Sequence, residues 1–120
     1  MEELTKTEER IMQILWKLKK AFVKDIIEHL PDEPKPPYNT ISSVVRILEK
    51  KGYIGFTAYG KTYEYFPVIG KYEYKSSLIQ KLLTSYFDNS AASLLTFMIK
   101  EEKLTDEEMK KLKKIINKKL

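Results

Sequence analysis

Asn39, Ser42, Ser43 and Arg46 recur at intervals of three and four residues, which puts them on one side of a helix. Amide and hydroxyl groups with one guanidinium do not make a catalytic set. They make a hydrogen-bonding surface, short enough apart from the arginine to let a helix approach a partner closely. That is the chemistry of base-edge reading in the major groove, where an arginine donates two bonds to one guanine. Tyr38 and Thr40 extend the same segment. Lys50, Lys51 and Lys61 follow it and suit phosphates as point charges.

Other chemistries find no residues. The chain has no cysteine and one histidine, which excludes thiolate zinc sites, iron–sulfur clusters, cysteine nucleophiles and multi-histidine metal centres. His29 beside Glu28 at the end of an amphipathic helix reads as solvated rather than as a general base. No nucleophile elbow, zinc-protease motif or phosphate-cradling glycine loop is present, so no enzyme activity, metal or cofactor is expected. Trp16 lies on an apolar stripe and reads as core.

The distribution of charge points the same way. The 120 residues carry a net charge of +5, which suits one domain, or a small domain with an appendage, in a chain of ordinary globular composition. Residues 35–63 hold Lys35, Arg46, Lys50, Lys51 and Lys61 against Glu49 alone, a net +4. Residues 1–34 are net −2 and residues 64–120 net +3. The least acid-diluted stretch is therefore the one carrying the hydrogen-bonding helix face. No apolar run is long enough to span a membrane, and MEELTKTEER lacks a signal-peptide apolar region. A cytoplasmic protein is expected.

The elements that must position these residues follow from periodicity. Thr5 and Glu8 form a capping-box pattern opening a helix over about 5–19, with Ile11, Met12, Leu15, Trp16 and Leu18 apolar. Ala21-Phe22 interrupts the pattern. Val23–Leu30 reads as a short second helix with Ile26, Ile27 and Leu30 inward. PDEPKPP cannot be helical, because proline lacks the amide donor. A third helix opens with Asn39 or Thr40 as its cap, buries Ile41, Val44, Val45 and Leu48, and ends at Gly52. Residues 53–67, β-branched and aromatic around Gly60, predict a two-stranded hairpin. Three short helices and a hairpin form a winged helix-turn-helix: the third helix enters the major groove and the hairpin is the wing along the backbone. Tyr53, Tyr59, Tyr63, Tyr65, Tyr72 and Tyr74 are expected to pack the hairpin on the body. The alternative reading is a winged-helix adaptor that uses this tyrosine-rich wing for a protein partner.

The remainder is helical. The expected division is 1–70, a winged-helix DNA-binding domain, and 71–120, a helical dimerisation region, making the fold mainly α with a small β-hairpin. Leu78, Ile79, Leu82, Leu83, Tyr86 and Phe87 share one face over about 71–88. Ala91–Lys100 is unusually apolar, with Leu94, Leu95, Phe97, Met98 and Ile99. Thr105 and Glu108 repeat the capping box and open a last helix bearing Leu112, Ile115 and Ile116. Its acids precede its lysines, as the helix dipole favours. Fifty residues are too few to bury three apolar helix faces. Either a second copy covers them, making a homodimer that presents two recognition helices to palindromic double-stranded DNA, or they fold back on the first helix.

Three segments in order carry a resemblance: LTKTEERIMQILW, NTISSVVRILEKKGYIGFTAYGKTYEYFPVI and SLLTFMIKEEKLTDEEMKKLKKII. With them, essentially the whole chain resembles the penicillinase/methicillin-resistance repressor family of bacteria (the BlaI/MecI/CopY type). The resemblance implies a homodimeric transcriptional repressor with an N-terminal winged helix and a C-terminal helical dimerisation domain. It implies recognition-helix positions at Asn39, Thr40, Ser42, Ser43 and Arg46. Many members of that family are inactivated when a sensor-triggered metalloprotease cleaves an Asn-Phe bond in the dimerisation helix. The matching bond here is Thr96–Phe97, which keeps the Phe and replaces the Asn. The copper-responsive branch uses a Cys-x-Cys pair, and a chain without cysteine lacks that route.

Overall fold

In a computed structural model that describes all 120 residues, the chain forms six helices and three short strands. They are α1 (Lys6–Leu18), β1 (Ala21–Phe22), α2 (Val23–His29), α3 (Tyr38–Lys50), β2 (Ile54–Tyr59), β3 (Thr62–Pro67), α4 (Lys71–Tyr86), α5 (Ala91–Lys100) and α6 (Asp106–Lys119). The chain divides into two compact units, Met1–Ser77 and Leu78–Leu120. Residues 71–77 of α4 fall in the first unit, where Tyr74 is buried. Its ring meets Trp16 and Tyr53, each at a centroid distance of 5.8 Å.

The core of the first unit joins the apolar faces of its three helices. Ile11, Met12 and Leu15 of α1, Ile26 of α2, and Ile41, Val45 and Leu48 of α3 are buried, together with Tyr53, Ile54 and Tyr65 of the hairpin region. Trp16, Leu18, Ile27 and Val44, expected inside, lie half-buried at its edge. Trp16 has a reason to be there: its indole Nε1–H donates to the Ile69 carbonyl oxygen at 2.9 Å, so the ring must sit where it can reach a wet-edge partner.

Two local readings change. Ala21-Phe22 is a strand rather than a mere interruption. It pairs antiparallel with β3 (Ala21 with Tyr65, Phe22 with Glu64), giving a three-stranded sheet in the order β1-β3-β2 instead of a two-stranded hairpin. A third strand ties the wing to the body, which an isolated hairpin needs. The cap of α3 also moves. The helix begins at Tyr38 with Pro37 as N-cap, and the Pro37 carbonyl accepts from Thr40 N–H at 3.1 Å and Ile41 N–H at 3.3 Å. Asn39 and Thr40 thus lie within the first turn, and their side chains are not spent on capping.

The far end of α3 closes in a Schellman motif. Gly52 N–H donates to Glu49 O at 3.0 Å and Tyr53 N–H to Leu48 O at 3.0 Å, with Gly52 at φ +84°. Only glycine takes that conformation without cost. The turn delivers Tyr53 into the core, where its carbonyl accepts from Val68 and Ile69, and its hydroxyl donates to the Glu2 carbonyl.

Glu8 is the one buried charged side chain of the chain. Its Oε1 accepts from Thr5 N–H at 2.9 Å, completing the capping box on α1. The same oxygen accepts from Lys51 Nζ at 2.7 Å, across 43 residues. Burial pushes the Glu8 carboxyl up, but hydrogen bonds from Lys51 and Thr5 outweigh that and hold it below the ordinary 4.5. A carboxylate whose value is lowered on folding stabilises fully above its unfolded value and loses that contribution as pH falls through the folded one. Glu8→Gln keeps the cap and strands Lys51. It should cost about 1–3 kcal/mol at neutral pH. In urea titrations, the gap between parent and variant should narrow as pH drops below 4.5.

Candidate nucleic-acid interface

The buried stripe of α3 turns the rest of that helix outward. Tyr38, Asn39, Thr40, Ser43, Arg46 and Lys50 are exposed, and Ser42 is half-buried. Asn39, Ser43, Arg46 and Lys50 follow one another along the helix as a single polar stripe. Ser43 Oγ donates to the Asn39 carbonyl at 2.9 Å, which turns its lone pairs, rather than its proton, outward. Ile47, absent from the expected site, is also exposed on this side. Its signal was available in the sequence, since it falls outside the stripe formed by positions 41, 44, 45 and 48.

The basic residues of 35–63 separate into two groups. Lys35 Nζ donates to the carbonyls of Glu28, at 3.2 Å, and Leu30, closing the C-terminal end of α2. Lys51, expected at a phosphate, is held by Glu8, and its side chain is only 19% exposed. Arg46, Lys50 and Lys61 have no ion pair within the chain. Lys61 stands at the tip of the wing, in the two-residue turn after Gly60, whose φ of +65° suits the hairpin twist.

The tyrosines divide by depth rather than acting as one cluster. Tyr53, Tyr65 and Tyr74 are core residues, whereas Tyr59, Tyr63 and Tyr72 are exposed. Burial pushes the Tyr65 phenol up, with Glu49 adding to the rise and Arg46 opposing it. Burial likewise raises Tyr53, aided by Tyr74, Glu2 and Glu8. Both phenols are neutral at pH 7. His29 Nδ1 lies 2.8 Å from the Asp25 carbonyl oxygen, a contact within α2. No three His, Asp or Glu side chains gather as a metal site, and no helix is long and apolar enough to cross a membrane.

The residues expected at a dimer contact all lie in the second unit. Leu78, Leu82, Tyr86, Phe97, Ile115 and Ile116 are exposed, while Leu83, Leu94, Leu95, Met98 and Leu112 are half-buried. No residue from Leu78 to Leu120 is fully buried. Leu95 and Leu112 lie between two apolar grooves, one reaching Ile99 and Ile116, the other Met98 and Ile115. The Thr96–Phe97 bond is inside α5. Thr96 Oγ1 donates to Ala92 O at 2.8 Å, and Phe97 packs edge-on against Phe87 at 5.6 Å.

The different commitments of Lys51 and Lys61 have a measurable consequence. Lys51→Met should lower folding stability by about 1–3 kcal/mol, since it leaves the Glu8 carboxylate buried without its cation. Lys61→Ala should change it by less than about 0.5 kcal/mol. Equal effects in chemical denaturation would contradict this assignment.

Comparison with known proteins places this arrangement. The chain is 26% identical over 117 residues to the methicillin resistance regulatory protein MecI of Staphylococcus aureus, covering 98% of this chain and 95% of that protein. It is 21% identical over 114 residues to the penicillinase repressor of Bacillus licheniformis, covering 95% and 89%. The solution structure of the DNA binding domain of the repressor BlaI matches with a TM-score of 0.52 at 24% identity, over 60% of this chain and 88% of that one. That likeness assigns the first unit the winged-helix fold. Residues 4–118 match the family described as penicillinase repressor, and the chain belongs to that family.

Proposed function

We propose that the chain is a homodimeric, sequence-specific DNA-binding transcriptional repressor that places α3 of each copy in the major groove of a palindromic operator. One observation carries this reading. The α3 face bearing Asn39, Thr40, Ser43, Arg46 and Lys50 is exposed, while the helix behind it is anchored by Ile41, Val45, Leu48 and the Lys51–Glu8 pair. A hydrogen-bonding helix on a rigid base is what base reading requires. Membership of a repressor family, and the DNA binding domain named for BlaI, support the same partner.

The second unit supports the dimer. Its helices are capped locally, by Ser90 on α5 and by Thr105 with Glu108 on α6, yet they bury nothing fully. Apolar faces that stay open in one copy are covered by their equivalents in a twofold contact. A dimer holds the second recognition helix at high effective concentration once the first is bound. Repression is then relieved by losing the dimer, without any change at a DNA contact. Proteolysis at Thr96–Phe97 by a sensor metalloprotease is one such route. Because this bond lies within α5, the helix must unwind before a protease can take it.

Arg46→Ala should remove about 1–3 kcal/mol of discrimination at a single base position. Gel shifts on duplexes changed one base at a time measure this. A uniform loss across all sequences would assign Arg46 to a phosphate. Leu95→Asp, with helical circular dichroism retained, should sediment as a monomer. An undiminished dimer would move the contact away from the α5–α6 grooves.

A further inference from the structure

Lys61 is the one phosphate candidate of the wing, and residues 54–67 carry only it and one carboxylate, Glu64, and so have no net charge. What it exposes is aromatic. Strand register puts Phe56 opposite Tyr65 and Ala58 opposite Tyr63, so Phe56, Tyr63 and Tyr65 share one face. The rings of Phe56 and Tyr63 lie 4.6 Å apart at 32°, and both contact Tyr65, at 6.1 and 6.4 Å. Tyr65 is buried, whereas Phe56 and Tyr63 remain 40% and 43% exposed. The row therefore starts in the core that Tyr65 shares with Ile41, Val45 and Leu48 of α3 and runs outward along the wing.

Two half-exposed rings are a poor start for a protein contact. They offer on the order of 150 Å², against the ~800 Å² per partner of a stable protein interface. They suit a nucleic acid strand beside α3, whose deoxyriboses present small apolar faces between the phosphates and the base edges. We propose that Phe56 and Tyr63 form an apolar platform on the wing that packs against the deoxyribose and base edges of the minor groove next to the major groove read by α3. This rests on the DNA-binding reading above and adds to it a contact insensitive to salt. Lys61 supplies the electrostatic contact of the wing, and the ring pair supplies the rest. Apolar side chains pressed against the minor groove are an established way of holding a duplex.

The test is fluorescence anisotropy of a labelled duplex of about 30 bp, first enriched from a random pool by the 120-residue chain, titrated at salt from about 50 to 200 mM. Phe56→Ala and Tyr63→Ala should each weaken binding about 5-fold to 100-fold at every salt concentration. The log–log salt slope should stay that of the parent. Lys61→Ala should instead lower that slope by about 1. If Phe56→Ala loses helical circular dichroism, Phe56→Leu decides, since it keeps the apolar packing on Tyr65 and removes the flat ring. Parent-like binding by the folded ring variants would overturn the platform and leave DNA binding by α3 standing. A changed salt slope in them would overturn it as well. Failure of the parent itself to bind any duplex at low salt would remove the DNA reading along with the platform.

Discussion

The first unit depends on where one carboxylate can be satisfied. Glu8 is buried, and a buried carboxylate is tolerable only with strong donors around it. Its donors come from two places: Thr5 at the start of α1 and Lys51 at the end of α3. Meeting both with a single oxygen brings the N-terminal end of α1 to the C-terminal end of α3. The apolar faces of the two helices can then meet over Ile11, Leu15, Val45 and Leu48 in one register. The same ion pair sits one residue before Gly52, where the chain turns to begin the wing. Helix cap, α3 and wing are thus placed by a common joint.

This joint also explains why the basic surplus of residues 35–63 is not all surface charge. Two of its five cations do structural work. Lys35 closes the open carbonyls at the end of α2, and Lys51 neutralises Glu8. Those two side chains are drawn inward by a carbonyl-rich helix end and by a buried acid, whereas Arg46, Lys50 and Lys61 form no ion pair within the chain. Of the three left over, Arg46 and Lys50 lie along α3 with the exposed Asn39 and Ser43, and Lys61 stands at the wing tip. Fewer charges than the composition implies support the proposed DNA contact, but they are better placed for it.

The two units reach stability by different means. The first has an aliphatic core sealed by Tyr53, Tyr65 and Tyr74 and by a third strand on the sheet. The second has well-capped helices and a dipole-matched α6, with Asp106, Glu107 and Glu108 in the first turn and Lys118 and Lys119 in the last. Capping and dipole terms stabilise helices without telling them what to pack on. Open apolar grooves around Leu95 and Leu112 are what such a unit has when its core is shared, which is the sense in which they support a dimer.

Much of this was legible in the sequence wherever the determining contacts are close along the chain. The capping boxes at Thr5 and Thr105, the extent of α5, the hairpin around Gly60 and the buried stripe of α3 all depend on residues within a few positions of one another. Periodicity and turn chemistry report those directly. The family was legible too, from three ordered segments. What only the tertiary structure decided concerns partners far apart in the chain. Ala21-Phe22 is a strand because β3 lies beside it, and Tyr74 belongs to the first unit because Trp16 and Tyr53 surround it. Lys51 turns inward because Glu8 is buried next to it, and Phe56 with Tyr63 becomes an exposed ring pair because of cross-strand register. A side chain's type sets which interactions it can make. Which of them it makes is set by the field and packing around it, and those exist only once distant segments have been brought together.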